Sequence, residues 1–518
     1  MHRHGSFARA CATMRRNRGK ELLMATTPKD RRPRWIAWLA QRLGTVAWKL
    51  ITFVLFALVI AVVARACMST QGTPLQPWHT LVPDELDATT IERSDWRGYV
   101  AAESRMFDVM QRRLQREMAP QDRTPLNRYY AGSLTSPAMF GRDWNRSYVL
   151  EPAGAPRGVA VLLHGLTDSP YSMRSLAQLY QAHGYVALVP RMPGHGTVPG
   201  GLTREGRKEW NAAVTMAVAE AHRRAGASLP VHLVGYSNGA ALALLHVMRR
   251  IEHGEPAGVT RLVLLSPMIE VNRFARYAGL AGLPAIFGRY AKSAWLDLLP
   301  EYNAFKYNSF PVRAARESYL VTDDVHTALE TLSRQQRLGR MPPVVAFQSV
   351  VDGPVSARGV MTQLFDRLGP HGSELVLFDV NRNRIIAPMF RDAATGWPGP
   401  ALQQRRDYAL TLVGASSPED PAAVARTRAA GADTIATQAI GLSYPDDVYS
   451  LSHIAMPFAP DDALYGRVPS QRGVLQLGAI AVRGERNTLI VTQDSLSRLS
   501  YNPFHAYMLA RIEAGIER

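Results

Sequence analysis

A serine that could act as a nucleophile stands out first. Residues 231–239 read Val-His-Leu-Val-Gly-Tyr-Ser-Asn-Gly, and an apolar helical run, residues 240–248, follows directly. A serine at a sharp turn between a strand and a helix keeps its hydroxyl exposed. Gly235 and Gly239 leave room for the strained backbone that such a turn needs. We therefore predict that Ser237 attacks carbonyl carbon in an acyl-transfer reaction.

Such an attack creates an oxyanion, which needs hydrogen-bond donors. The N–H of Asn238 lies at the start of the predicted helix, whose positive end favours negative charge. Upstream, the strand pattern of residues 159–163 ends in His-Gly, and we assign the second donor to the N–H of Leu166. His164 and His195 are expected to brace loops by hydrogen bonds rather than to transfer protons.

Three motifs together resemble one family. They are His164-Gly165, Pro193-Gly194-His195-Gly196 and Gly235-Tyr236-Ser237-Asn238-Gly239. In order and spacing they resemble the monoacylglycerol lipase and carboxylesterase branch of the α/β-hydrolases, which also includes lysophospholipases and proteins described as serine aminopeptidases. The similarity covers residues 145–380 and the region of His453. It implies hydrolysis of acyl-chain or lipid esters by a Ser-His-Asp triad, without a metal or an organic cofactor.

The acid of the triad should follow the strand that comes after the predicted lid of residues 268–341. In this fold the chain order is serine, acid, histidine. Asp352 comes directly after the apolar run of residues 344–350, and its Asp-x-x-Val form resembles the acid loop of the family. The alternative is that Asp352 only begins a turn before Gly-Pro. Asp323 and Asp324 are weaker rivals, since both precede that strand.

A histidine must take the proton of the serine, because a hydroxyl is a weak nucleophile at neutral pH. The histidines considered are His326, His371, His453 and His505. His326 precedes Asp352, His371 precedes the last clear strand, and His505 lies in a predicted terminal helix. His453 resembles the histidine loop of the family, although a long insertion before it departs from the family pattern. We predict His453 as the base.

The elements that must position these residues alternate between strands and helices. The strand patterns lie at residues 147–150, 159–163, 185–189, 231–234, 261–265, 344–350 and 375–380. This alternation predicts an α/β-hydrolase domain over residues 145–518, with a mainly parallel, doubly wound sheet. Its active site should lie beyond the carboxyl ends of the strands. Residues 268–341 are predicted to contain a helical lid, and residues 381–447 are an insertion without an assigned structure.

A membrane anchor is predicted near the N-terminus. Residues 44–66 form an apolar stretch long enough to cross a bilayer. Residues 1–43 form a basic tail, which predicts a cytoplasmic N-terminus and a catalytic domain outside the cytoplasm, periplasmic in a bacterium, at the inner membrane. The alternative is cleavage near Cys67, which would give a secreted or lipid-anchored protein. Residues 67–144 are predicted as a linker and a lead-in, with a helix from about residue 94 to 118.

Composition narrows the remaining classes of function. Twelve of the 60 Lys and Arg residues fall within residues 1–49, against two acidic residues. The net charge of +17 is therefore concentrated before the apolar stretch, which favours membrane topology over nucleic-acid binding. Two cysteines, Cys11 and Cys67, exclude a disulfide framework and a cysteine-rich zinc site.

Two functional alternatives stay open. The same triad could transfer acyl groups to other acceptors or cleave peptides. A membrane-tethered scaffold on an inactive fold is the other reading, and it predicts a damaged triad. The expected partners are an acyl ester or lipid substrate and the membrane, and the sequence indicates no oligomeric state.

Overall fold

The computed structural model describes residues 34–270, 278–468, 474–481 and 488–517. The α-helices are α1 (Arg34–Ser69), α2 (Pro77–Thr80), α3 (Ala88–Arg93), α4 (Trp96–Glu117), α5 (Arg174–Ala182), α6 (Arg207–Ala225), α7 (Asn238–Glu252), α8 (Ala278–Ala281), α9 (Val312–Arg334), α10 (Ala357–Gly359), α11 (Asp392–Thr395), α12 (Pro398–Leu402), α13 (Gln493–Ser497) and α14 (His505–Ile516).

The strands are β1 (Tyr148–Leu150), β2 (Gly158–Leu163), β3 (Tyr185–Val189), β4 (Val231–Tyr236), β5 (Arg261–Leu265), β6 (Trp295–Asp297), β7 (Phe310–Pro311), β8 (Val344–Ser349), β9 (Glu374–Phe378), β10 (Ala409–Ala415), β11 (Ala422–Arg428) and β12 (Ile435–Ser443). Short 3₁₀ turns lie at Pro120–Asp122, Pro137–Phe140, Pro170–Met173, Pro199–Thr203, Leu283–Ile286, Gly288–Ala294, Leu338–Arg340, Phe365–Arg367, Ala387–Met389 and Leu477–Ala479, and a π-helical turn lies at Val360–Leu364.

One mixed sheet organises the catalytic part of the chain. Within the described residues it has ten strands in the order β1-β3-β2-β4-β5-β8-β9-β10-β11-β12. The seven strands from β3 to β10 in this order run parallel to one another. Strand β1 pairs antiparallel with β3, and β11 pairs antiparallel with both β10 and β12. The parallel strands place their carboxyl ends along one edge, where side chains from separate strands meet.

Helices cover both faces of this sheet. Every residue of β2, β3 and β4 is buried, which explains the continuous apolar runs that predicted them. Helices α6, α7 and α9 contribute to the core on one face, and α5 and α14 to the core on the other. The predicted fold class, a mainly parallel α/β sheet with one long apolar helix near the N-terminus, is confirmed.

The segment predicted as a lid contains two different parts. Helix α9 buries a stripe that includes Val321, Val325 and Leu329, and it packs against α7. It is thus the crossover helix between β5 and β8 rather than a cover over the site. The part before it, from α8 to the β6–β7 hairpin, stays the predicted lid, and residues 271–277 lie outside the described residues.

The predicted insertion extends the sheet. Strand β10 adds in parallel to β9, and β11 and β12 continue it as an antiparallel meander. Strand β12 is mostly exposed on both faces. Alternation of apolar and polar residues, the usual strand signal, is therefore weak at this edge of the sheet.

The chain divides into two compact units, residues 1–61 and residues 62–518. In the first unit, the described side chains from residue 42 onward are exposed and mostly apolar. Among the described helices, α1 is the one long and apolar enough to cross a membrane. In the second unit the lead-in is packed rather than loose, because Trp78, Leu81 and one face of α4 are buried.

Candidate active site

The turn between β4 and α7 holds Ser237 in a strained conformation. Its φ is 54° and its ψ is −115°, a region that residues with side chains rarely adopt. A Cβ on Gly235 would lie 2.5 Å from the Cα of Ala240, and one on Gly239 would lie 2.3 Å from the carbonyl oxygen of Leu163. Both glycines are therefore required by close backbone approach.

Ser237 stands at one end of a line of hydrogen bonds. Its Oγ lies 2.9 Å from Nε2 of His453, and Nδ1 of His453 lies 2.7 Å from Oδ2 of Asp352. The other carboxylate oxygen of Asp352 accepts the N–H of Val355 at 3.0 Å. Tyr236 donates its hydroxyl to the carbonyl of His453 at 3.1 Å, which fixes the histidine loop. The structure thus brings the three predicted residues together.

The rival residues lie elsewhere with other partners. Nε2 of His326 is 2.7 Å from the carbonyl oxygen of Ile269, and Nε2 of His505 is 3.2 Å from the hydroxyl of Ser175. Asp324 forms ion pairs with two arginines on α6 and α7. Geometry therefore favours Asp352 and His453 over these alternatives.

Comparison with known proteins finds a family that matches part of the chain. The family described as serine aminopeptidase, S33, matches residues 154–379. A thermostable monoacylglycerol lipase from Bacillus sp. (strain H-257) is 32% identical over 167 residues, which are 31% of this chain and 61% of that protein. The chain thus spans 61% of the length of this relative. Residues 154–379 therefore resemble this family of α/β-hydrolases.

Solved structures resemble this chain at lower identity. A metagenome-derived lipolytic enzyme is 20% identical, covering 46% of this chain and 88% of that chain with a TM-score of 0.37. The monoacylglycerol lipase of Paleococcus ferrophilus is 17% identical, covering 45% of this chain and 88% of that chain with a TM-score of 0.32. A soluble variant of the Saccharomyces cerevisiae monoglyceride lipase is 15% identical, covering 45% of this chain and 81% of that chain with a TM-score of 0.34. Each of these solved structures covers less than half of this chain.

The predicted oxyanion donors lie on either side of Ser237. Asn238 is the first residue of α7, where N–H groups have no partner within the helix. Leu166 follows Gly165, and a Cβ on Gly165 would lie 3.3 Å from the Cβ of Ser237. The loop that carries Leu166 therefore packs closely against the serine.

Two buried histidines brace the loops next to this site. Nε2 of His164 accepts the N–H of Met192 at 3.0 Å, so the proton on Nδ1 is donated to the carbonyl of Gly165 at 2.9 Å. Burial lowers the pKa of His164 to about 3, and it also lowers the pKa of His195. Both rings are therefore neutral near pH 7. Nδ1 of His195 lies 3.1 Å from the carbonyl oxygen of Pro193.

Sequence reasoning missed a lysine that holds the loop of Leu166. Nζ of Lys306 donates to the hydroxyl of Thr167 at 2.6 Å and to the carbonyl of Leu166 at 3.2 Å. The N–H of Tyr307 donates to the carbonyl of Thr167 at 2.7 Å. Burial lowers the pKa of Lys306, and the nearby Asp168 opposes that shift. No local pattern could reveal this contact, because the two segments lie about 140 residues apart.

A buried ion cluster attaches the lead-in to the same region. The guanidinium of Arg191 donates to both carboxylate oxygens of Glu85, at 2.8 and 2.7 Å, and to Glu103 at 3.1 Å. It also donates to the carbonyl of His195 at 2.9 Å. Burial raises the pKa of Glu103, and the positive charge of Arg191 opposes that shift. The lead-in therefore supports the loop that carries the second family motif.

One group of possible metal ligands lies outside this site. His183, Glu513 and Glu517 place ligand atoms within 4.8 Å of one another in the described part of the chain. Nε2 of His183 is already 2.7 Å from a carboxylate oxygen of Glu513. The ring therefore has an ion-pair partner without a metal.

Proposed function

We propose that this α/β-hydrolase cleaves carboxylic esters of acyl-chain or lipid type, with Ser237 as the nucleophile. The observation that carries the proposal is the line of hydrogen bonds from Asp352 through His453 to Ser237, at 2.7 and 2.9 Å. A nucleophile, a base and an orienting acid in this order are what serine acyl transfer requires. The similarity to a monoacylglycerol lipase supports the ester class.

In the first half-reaction the ester acylates the serine. Nε2 of His453 takes the proton of Ser237 as Oγ attacks the carbonyl carbon. The N–H groups of Leu166 and Asn238 hold the oxyanion of the tetrahedral intermediate. The alcohol then leaves with the proton from His453, while Asp352 keeps the imidazole oriented and stabilises its positive charge.

In the second half-reaction water releases the acyl group. His453 takes a proton from the water as its oxygen attacks the acyl carbon bound to Ser237. The same two N–H groups hold the second oxyanion. The acid product leaves, and the proton returns to Oγ, so protein groups alone complete the cycle.

We further propose that α1 anchors the hydrolase in a membrane, with residues 1–43 in the cytoplasm and the catalytic part outside it. The basic residues before the apolar run support this orientation. Cleavage near Cys67 is the alternative. The intact mass of the protein from a membrane fraction separates the two, because cleavage removes the whole apolar run.

The test of function is hydrolysis of nitrophenyl esters from acetate to palmitate by the full chain in detergent micelles. We expect Ser237→Ala to lower kcat/KM by about 10⁴-fold or more, by analogy with other serine nucleophiles. Ser318→Ala is the matched control, because the hydroxyl of this buried serine donates to the carbonyl of Ala315 within α9. Equal activity of the Ser237→Ala and unsubstituted proteins would reject the proposal.

Further substrates separate the remaining classes. A competing alcohol would capture the acyl group if the protein is a transferase, and a nitroanilide would be cleaved if it is a peptidase. A folded protein that cleaves none of these substrates would support the scaffold alternative.

A further inference from the structure

An exposed apolar surface lies on the lid. Its members are large side chains between residues 280 and 296 with 39 to 79% of their surface exposed: Leu280, Leu283, Ile286, Phe287 and Leu296. Single exposed apolar side chains are ordinary, but several on one short segment mark an interaction surface. We call these five residues the apolar lid face.

The same segment of the lid contacts the chain just beyond the apolar helix. The guanidinium of Arg65 donates to the carbonyl of Trp295, immediately before Leu296. Nζ of Lys292 donates to the carbonyls of Gln71 and Gly72 at 3.2 and 3.1 Å. We call these contacts the latch.

The end of α1 changes character where the latch begins. The described side chains before residue 62 are exposed, whereas Val62, Arg65, Ala66 and Ser69 are buried or partly buried. These positions recur every three to four residues, so they form one face of the helix. At 1.5 Å per residue, Ser69 lies about 8 Å beyond Ala64, where the uncharged run ends.

A second set of contacts fixes the lid side of the latch. Trp295 is buried, and its ring lies 5.0 Å from the ring of His79. Nε2 of His79 lies 3.0 Å from the hydroxyl of Ser309, which also accepts the N–H of Leu299. Burial lowers the pKa of His79 to about 4, so its ring is neutral near pH 7. The lid is therefore held beside the point where the chain leaves the apolar run.

We propose that the apolar lid face lies in the interface of the membrane that α1 spans and that the latch holds it there. The proposal rests on the proposed membrane anchor and names a lipid surface as the partner of the lid.

Two features favour a lipid surface over a protein partner. The latch contacts residues 65–72, which directly follow the apolar run in the chain, so the lid is held close to the point where that run would leave a bilayer. Arg289 lies on the same segment, where a long cationic side chain can reach lipid phosphates while its stem stays in the apolar layer.

The depth of the lid can be measured without catalysis. The full chain carrying Cys11→Ser, Cys67→Ser and Ile286→Cys is labelled with an environment-sensitive nitrobenzoxadiazole dye and reconstituted in phosphatidylcholine–phosphatidylglycerol vesicles. The matched control carries Glu419→Cys instead, an exposed position between β10 and β11. We expect a blue-shifted emission at position 286 that doxyl-labelled lipid quenches at least threefold more than at position 419. Equal emission and quenching at both positions would overturn the proposal.

The latch is tested by a second pair of changes. Arg65→Ala together with Lys292→Ala should reduce the lipid quenching at position 286 by half or more. Hydrolysis of water-soluble nitrophenyl acetate should stay within twofold, because neither residue belongs to the catalytic line. Unchanged quenching in this variant would reject the latch. The fluorescence does not depend on turnover. An inactive protein would therefore reject the proposed function, whereas the lipid quenching at position 286 would still test the position of the lid.

Discussion

The reactivity proposed for Ser237 depends on residues that carry little chemistry of their own. Its backbone is strained, with φ of 54°, and Gly235 and Gly239 allow β2, β4 and α7 to approach closely around it. The loop of Leu166, the predicted oxyanion donor, is held in turn by His164 and Lys306. The first of these was visible in the sequence because it belongs to a motif, whereas Lys306 becomes a neighbour only through the fold.

At this scale Lys306→Met tests the support of the oxyanion loop. We expect kcat to fall about tenfold with little change in KM, because the loop supplies a donor used in the transition state rather than in binding. Lys306→Arg should restore part of kcat, since a guanidinium can donate to the same carbonyl and hydroxyl. Steady-state kinetics of all three proteins measure this, and an unchanged kcat in Lys306→Met would contradict the account.

Glu205 gives a prediction on pH. Burial and the nearby Glu85 and Glu209 raise its pKa to about 7. The folded chain thus keeps a proton that the unfolded chain loses near pH 4.5, so this residue's contribution to stability falls as the pH rises from about 4.5 to 7.

Replacement of Glu205 by Gln should remove that loss. At pH 8 we expect a higher Tm and a free energy of unfolding that is greater by at most about 3 kcal/mol. Both increases should be smaller at pH 5. Thermal unfolding at the two pH values is the measurement. An equal change in Tm at both would show that charge at this position is not the cause.

At the scale of elements, what the sequence could predict follows burial. Strands β2 to β5, β8 and β9 are buried on both faces and appear as apolar runs, so their positions were predicted within a few residues. Strand β11 reads Ala-Ala-Val-Ala-Arg-Thr-Arg, and β12 is mostly exposed, so neither carries a clear strand pattern. The amphipathic α9 was included in the predicted lid, since a helical pattern does not reveal which neighbour it packs against.

The contact between β2 and α7 leads to a prediction for Gly239→Ala. A Cβ there would lie 2.3 and 2.5 Å from the carbonyl oxygens of Leu163 and His164, and backbone atoms cannot move aside cheaply. We expect destabilisation by about 1–3 kcal/mol, as for other overpacked sites, and at least a tenfold loss of esterase activity. Gly339→Ala is the control, because no atom lies within 4 Å of its Cβ position. Similar behaviour of both variants would contradict the close approach.

The attachment of the lead-in leads to a prediction for Arg191→Met. This change leaves the carboxylates of Glu85 and Glu103 buried without their cation, which should lower the free energy of unfolding by about 3–5 kcal/mol. Adding Glu85→Gln and Glu103→Gln should recover part of that loss, because neutral amides cost less to bury. Thermal unfolding of the two variants decides the matter, and no recovery in the triple variant would count against the cluster.

At the scale of the whole molecule, the positive charge and the apolar helix lie together near one end. Residues 1–49 account for ten of the seventeen net charges, and the apolar run follows them. The latch then joins the end of that run to the lid. These features agree with the proposed cleavage of an ester held in a membrane, and we expect a chain-length series to favour long acyl esters over acetate.

The most direct test of the central claim is to identify the atom that carries the acyl group. The full chain is mixed with nitrophenyl palmitate, quenched in acid within the first turnover, digested and examined by peptide mass spectrometry. We predict a palmitoyl group on Ser237 and on no other residue, and none in the Ser237→Ala protein. Turnover without an acyl group on Ser237, or an acyl group on another residue, would contradict the account.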